Sequence, residues 1–224
     1  MTVPSKLTQR LSFGGALVFL VVAMVAGYRN IGLPPVLIVG GSGTVALLLW
    51  RRTNLARPTD PALILPLFLL TVAALEVHMV EEYLTGFGPA MSRLFDISWT
   101  ERGFLLVFAF FGPILYTLTA LGLYYRVPLA GFMAWFIFIG PGVAEFTHFI
   151  FPALRPAIQP GLARAISAVV SNGRFVANMP NYYVGTTGHY YFAGMWTAAL
   201  PMLPGIYAIV RLLRAHRRAQ AQAG

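Results

Sequence analysis

Long apolar runs, separated by short clusters of arginine, are the feature that most constrains the fold of this chain. A helix needs about 20 predominantly apolar residues to cross the hydrocarbon core of a bilayer. Only 10% of the 224 residues are charged, whereas a typical soluble domain carries about 25%. The mean hydropathy is +0.71. The sequence therefore excludes a soluble globular domain and predicts an all-α, polytopic membrane helix bundle.

The apolar runs predict about six transmembrane helices, at residues 11–28, 31–50, 61–84, 103–125, 127–151 and about 189–210. Before the last span, polar residues recur in steps of three and four, as on one face of a helix. They are Arg164, Ser167, Ser171, Arg174 and Asn178. This pattern predicts an amphipathic helix lying on the membrane surface. We expect a single transmembrane domain, in which residues 1–60 supply two accessory spans, residues 61–210 a four-helix core and residues 211–224 a basic cytoplasmic tail.

The net charge of +9 is explained by the ends of the spans rather than by a nucleic acid partner. Lys and Arg concentrate in the cytoplasmic loops of membrane proteins. If both termini are cytoplasmic, most of the 16 Lys and Arg residues fall on that side. The sequence thus predicts an integral membrane protein with both termini in the cytoplasm.

Acidic and histidine side chains inside the apolar spans are the candidates for chemistry. A charged residue at the bilayer centre costs about 2.5–3.5 kcal/mol on insertion scales, so several of them together indicate a function. The predicted orientation brings six of them to the outer ends of three spans, as one cluster of catalytic residues or metal ligands. These six are His78, Glu81, Glu82, Glu145, His148 and His189. Glu76 points away from this group, and we expect it to have a separate, structural role.

The spacing of these residues favours a metal site. His78 has Glu81 and Glu82 three and four residues ahead of it, and Glu145 and His148 are also three apart. A Glu-x-x-His pair is the arrangement that dimetal sites in helix bundles use. Because the chain has no cysteine, its metal ligands must be histidines and carboxylates. Such ligands suit one or two ions of zinc, iron or manganese.

The run from His78 to Glu82 resembles the signature of the HXXEE-motif family of small bacterial integral membrane proteins. The resemblance implies that the chain lies in a bacterial cytoplasmic membrane. The resemblance covers mainly the last four predicted spans, and it implies a polar intramembrane site without naming a substrate. A weaker architectural resemblance is to the emopamil-binding-type sterol isomerases. There the His78 to Glu82 spacing and the Leu203-Pro204-Gly205 run are similar, whereas Glu81, His148 and His189 are additional.

Three functions follow as hypotheses. The first is a metal-dependent membrane enzyme acting on a lipid or other hydrophobic substrate, by hydrolysis or by oxidation. The second is metal-free acid–base catalysis, in which His78 and Glu82 isomerise or cyclise a terpenoid or sterol-like substrate. The third is a proton-coupled transporter or lipid-binding protein, since intramembrane Glu and His residues also relay protons.

Overall fold

A computed structural model describes residues 3–158 and 168–222, and in these ranges the chain is mostly helical. The first two helices are α1 (Lys6–Ile31) and α2 (Leu33–Thr53), joined at Gly32 with φ +93°. They pack closely, because a Cβ atom added to Gly43 would lie 2.2 Å from the Leu20 side chain. Small residues of this kind let membrane helices approach each other.

The central part of the chain supplies two further spans and a short helix between them. Helix α3 (Pro61–Leu84) begins at Asp60, whose side chain accepts a hydrogen bond from the backbone N–H of Ala62. The elements that follow are α4 (Phe87–Phe95), α5 (Glu101–Leu105), a π-helical segment (Leu106–Phe111) and α6 (Gly112–Tyr124). The last three form one continuous helical segment from Glu101 to Tyr124.

The fifth apolar segment changes helical geometry along its length. It starts as α7 (Pro128–Ile137), continues as π-helical turns (Phe138–Gly142) and then becomes a 3-10 helix (Val143–Phe149), followed by a short 3-10 turn (Phe151–Ala153). Pro141 lacks the N–H that an α-helix would use at this point. The regular helix therefore ends just before the residues predicted to carry chemistry.

Five helices of the described residues are long and apolar enough to cross a membrane, which confirms the membrane-helix character of the chain. They are Lys6–Ile31, Leu33–Thr53, Pro61–Leu84, Glu101–Tyr124 and Pro128–Ala153. The predicted count of six is not reached. The last helix, α9 (Ala199–Ala221), begins later than expected. Its apolar part is therefore short, because Arg211 lies only twelve residues after its start. Gly194, at φ +80°, keeps the preceding segment out of the helix. Helix α9 packs along α3 and the π-helical turns.

The prediction of an amphipathic surface helix is wrong where the structure describes that region. Strands β1 (Ala168–Ser171) and β2 (Arg174–Ala177) instead form an antiparallel hairpin, in which Ser171 pairs with Arg174. Asn172 and Gly173 at the turn have φ values of 45° and 72°. Two left-handed residues make the tight turn that an Asn-Gly pair favours, and they break a helix. Arg164 and Ser167 of the predicted helix lie outside the described residues. The remaining element, α8 (Val184–Thr187), is a single turn.

The contact between α9 and the π-helical turns is made by backbone. A Cβ atom on Gly205 would lie 3.0 Å from both the Gly142 Cα and the Phe138 carbonyl oxygen. We expect Gly205→Val to lower the free energy of unfolding by about 1–3 kcal/mol, as overpacking does in cores. Thermal unfolding in detergent measures this. Gly41→Val is the matched control, since no atom lies within 4 Å of its added Cβ; an equal loss of stability in both variants would contradict the close contact.

Candidate metal centre

Two histidines and two glutamates meet at one point inside the helical bundle. The His148 Nε2 atom lies 3.0 Å from Glu82 Oε1 and 2.9 Å from Glu145 Oε2. The His78 Nε2 atom lies 3.5 Å and 3.2 Å from the same two oxygens. One ligand atom from each residue lies within 4.8 Å of the other three. Imidazole nitrogens and carboxylate oxygens therefore alternate around a small central space.

Local helical geometry places the four residues side by side in two pairs. His78 and Glu82 are four positions apart on α3, and an α-helix with about 3.6 residues per turn places such residues on one face. Glu145 and His148 are three apart on the 3-10 segment, where about three residues make a turn and side chains at this spacing line up. The change of geometry after Pro141 thus brings Glu145 directly beside His148.

Three of the four side chains are enclosed. The exposed fractions are 0% for His78, 2% for Glu82 and 1% for His148, whereas Glu145 keeps 14%. The His148 ring stacks on Phe87, with centroids 5.1 Å apart. Burial of carboxylates in such apolar surroundings is costly unless a cation is paired with them.

The outer nitrogen of His148 fixes the tautomer of its ring. The His148 Nδ1 atom lies 2.7 Å from the carbonyl oxygen of Ala193, which can only accept a hydrogen bond. Nδ1 must therefore carry the proton. In the neutral imidazole, Nε2 then presents a lone pair to the two glutamates, as a metal-ligating histidine does.

A longer hydrogen-bond chain fixes His78 in the same way. The Thr197 hydroxyl donates a hydrogen bond to Glu81 Oε2, at 2.7 Å. The oxygen of the same hydroxyl can then only accept a hydrogen bond from His78 Nδ1, which lies 3.0 Å away. In the neutral ring, the Nε2 atom of His78 therefore also faces the carboxylates without a proton. A carboxylate that orients a ligand histidine is typical of metal sites, and here a threonine hydroxyl connects the two.

These four groups fit a single divalent cation. Two carboxylates and two imidazole lone pairs converge with no positive charge between them when both rings are neutral. Glu82 Oε2 is buried and has no hydrogen-bond partner among the described residues. A tetrahedral ion with bonds of about 2.0–2.2 Å has ligand separations of roughly 3.3–3.6 Å. The four nitrogen–oxygen distances, 2.9–3.5 Å, lie close to that range. The cluster could therefore hold a metal ion.

The backbone at Gly194 closes one side of the cluster. A Cβ atom there would lie 2.6 Å from Glu82 Cγ, 2.9 Å from His78 Cε1 and 3.0 Å from His148 Cε1. The residue also adopts φ +80°, which favours glycine. Only a residue without a side chain can pass this close to three of the four candidate ligands.

Glu81 is held apart from the cluster by the segment before α9. Its Oε2 atom accepts hydrogen bonds from the backbone N–H of Thr197, at 2.8 Å, and from the Thr197 hydroxyl. Its Oε1 atom accepts from the Tyr191 hydroxyl, at 2.9 Å, and from the backbone N–H of Trp196, at 3.3 Å. Glu81 thus points to the other side of His78 and orients it, instead of joining the group of four.

His189 also lies away from the group of four, and so does Glu76, which was not predicted to belong to the site. His189 is exposed, and its backbone N–H and carbonyl bond to the Thr187 hydroxyl. Glu76 is not among the four clustered residues, and its Oε1 atom is buried without a hydrogen-bond partner in the described part of the chain. The structure therefore brings together His78, Glu82, Glu145 and His148 of the six residues predicted to form the site.

Sequence reasoning missed the contribution of residues 193–197, because it assigned them to a regular helix. The Ala193 carbonyl, the Gly194 backbone and the Thr197 hydroxyl each contact a residue of the cluster. The available signal is the pair Gly188 and Gly194, whose positive φ values delay the start of the last helix.

Comparisons of the chain with models of protein families, with curated proteins and with solved structures find no match. The functional argument therefore rests on the geometry of the cluster.

Proposed function

We propose that this protein is an integral membrane, metal-dependent hydrolase that acts on a lipid or another hydrophobic substrate. The observation that carries the proposal is that the four residues of the cluster differ in solvent exposure. His78, Glu82 and His148 are enclosed, and Glu145 alone reaches an accessible edge. Two histidines and a glutamate form a ligand set that zinc hydrolases use, and a second glutamate commonly serves as general base beside it.

In this proposal His78, Glu82 and His148 would hold the ion, and Glu145, the most exposed of the four side chains, would act as the general base beside it. A bound divalent ion supplies Lewis-acid activation of water or of a substrate carbonyl. Glu145 accepts a proton from the attacking water and later returns it to the leaving group. Glu81, through Thr197, keeps His78 oriented with its lone pair toward the ion. The apolar rings around His148 exclude bulk water.

The ligand number favours one ion over two. Four ligand atoms within 4.8 Å suffice for one ion, and Glu81 and His189, which would have served a second, lie elsewhere. Zinc suits hydrolysis with this set, whereas a redox-active iron or manganese would point to oxidation. Metal identification thus chooses between the two reactions.

The membrane setting supports a hydrophobic substrate. The segment that carries Glu145 exposes the side chains of Phe146, Phe149 and Ile150. On the surface of a membrane bundle such side chains face lipid, so a substrate can approach Glu145 from the bilayer. Cytoplasmic termini, and membership of the HXXEE-motif family, stay predictions.

We expect Glu145→Gln to lower the hydrolytic rate by about 10²–10⁴-fold, the usual contribution of a general acid–base group. The reconstituted protein is incubated with a lipid extract in ¹⁸O-labelled water, and the products are analysed by mass spectrometry. The wild-type chain should produce molecules containing ¹⁸O, because hydrolysis adds an oxygen atom from water. Glu76→Gln is the matched control and should retain the rate. Products without ¹⁸O would contradict hydrolysis.

Metal-free proton transfer is the second candidate, favoured by one observation. The His–Glu distances of 2.9–3.5 Å also suit hydrogen bonds within a protonated cluster. An isomerase would leave the substrate mass unchanged in ¹⁸O-labelled water and would add deuterium in D₂O. Its activity would also survive exhaustive chelation.

A further inference from the structure

Arg93, on α4, is a buried cation without a counter-charge. Its exposed fraction is 5%, and its Nη1 atom donates to the Met179 carbonyl at 3.3 Å. Its Nε atom is buried without a partner in the described residues. Burial lowers the pKa of this guanidinium, but arginine stays protonated in proteins because its ordinary pKa lies far above neutral pH. A buried charge of this kind requires an anion.

No acidic side chain of the described residues supplies that anion. All seven acidic residues lie within the described ranges, and none of them forms an ion pair with Arg93 there. Asp96, the nearest in sequence, accepts a hydrogen bond from the Ser171 hydroxyl. Asp60 pairs with Arg126. Glu82 and Glu145 belong to the cluster with His78 and His148, and Glu81 accepts hydrogen bonds from Tyr191 and Thr197.

Arg93 lines a small, shallow cleft that is open to solvent. Phe151 and Phe192 form part of its wall. The same two rings contact the His148 ring, with centroid distances of 5.9 Å and 6.3 Å. The cleft and the metal centre are therefore separated by one layer of aromatic side chains.

We propose that Arg93 and its cleft bind a phosphate group, either that of an anionic lipid headgroup or a free phosphate ion. The planar guanidinium offers several N–H donors in a fork that matches phosphate oxygens. A phosphate in the cleft would pair the buried charge, which the protein leaves without a carboxylate. If the proposed hydrolase activity holds, on which this extension rests, its substrate is an amphiphile anchored by a phosphate at Arg93.

Thermal unfolding of the full-length protein tests the site without any activity assay. In detergent, the probe is inorganic phosphate against chloride at equal ionic strength. In lipid, the probe is vesicles of phosphatidylcholine with and without phosphatidylglycerol. At a phosphate concentration far above its Kd, we expect the wild-type Tm to rise by about 5 °C. Arg93→Met, which replaces the charge with an apolar side chain, should lose the rise, and Arg102→Gln, at an exposed arginine, should keep it.

The outcomes separate the two sources and can overturn the site. A rise with phosphatidylglycerol alone assigns the cleft to a lipid headgroup, and a rise with inorganic phosphate alone assigns it to the free ion. No rise with either probe, or an equal rise in Arg93→Met, overturns the proposal. If Arg93→Met fails to fold, Arg93→Lys is the deciding variant. Lysine lacks the planar fork of N–H donors, so it should bind phosphate about tenfold more weakly. An unchanged phosphate affinity overturns the assignment. Metal content is independent of all these results, so failure of this site is distinguishable from failure of the hydrolase.

Discussion

We expect Glu82→Ala to abolish metal binding and Glu76→Ala, on the same helix, to leave it intact. Glu82 lies 3.0 Å from His148 and 3.5 Å from His78, and its second oxygen is buried without a partner in the described residues. Its loss leaves two imidazoles and one partly exposed carboxylate, which is too few negative charges for a buried divalent ion. Titration of metal-free protein with Zn²⁺, followed by calorimetry or by the rise in Tm, measures the effect.

The Glu81→Gln variant should have a metal affinity between those of the other two variants. Because Glu81 acts on His78 through Thr197, we expect Glu81→Gln to weaken metal affinity by about 10–100-fold, as loss of an outer hydrogen-bond partner does. The predicted order of affinity is therefore wild type and Glu76→Ala, then Glu81→Gln, then Glu82→Ala. Equal affinities for the Glu82 and Glu76 variants would contradict the assignment of Glu82 as a ligand.

Gly194→Ala has the second largest expected effect. The added methyl group would lie 2.6–3.0 Å from atoms of Glu82, His78 and His148, so these side chains must move apart. A positive φ costs a residue with a side chain about 1–2 kcal/mol in addition. We expect a lower Tm and a loss of metal affinity of at least about a hundredfold, because ligand separation sets the fit of the ion.

Gly188→Ala is the matched control for Gly194→Ala. Gly188 has φ +71°, but no atom lies within 4 Å of its added Cβ. It therefore has the same backbone strain without the contact with the ligands. If both variants bind Zn²⁺ equally well, the cluster does not depend on the close approach at residue 194.

The membrane character and the pairs within the site could be predicted because both depend on local sequence. Apolar runs of sufficient length predict spans directly, and the spacings His78 to Glu82 and Glu145 to His148 place each pair on one helical face. Pro141 marks the point where the fifth helix departs from α geometry. These features need no knowledge of distant contacts.

The rest of the site depends on contacts that spacing does not encode. Glu81 and Glu82 lie three and four residues after His78, so spacing alone places both beside it. Hydrogen bonds from Tyr191, Trp196 and Thr197 hold Glu81 on the other side of His78. His189 precedes a helix that starts later than the apolar run suggests. In the surface segment, steps of three and four suggested a helix, although Asn172-Gly173 is a strong local signal for a hairpin.

Metal content of the purified wild-type chain tests the central claim most directly. The full-length protein is extracted in mild detergent without chelators, and elemental mass spectrometry measures metal per chain. We predict about one zinc ion per chain, absent from a variant that carries both His78→Ala and His148→Ala. A well-folded wild-type protein that neither contains a divalent metal nor takes one up would contradict the metal centre, and would move the function to metal-free proton transfer or to transport.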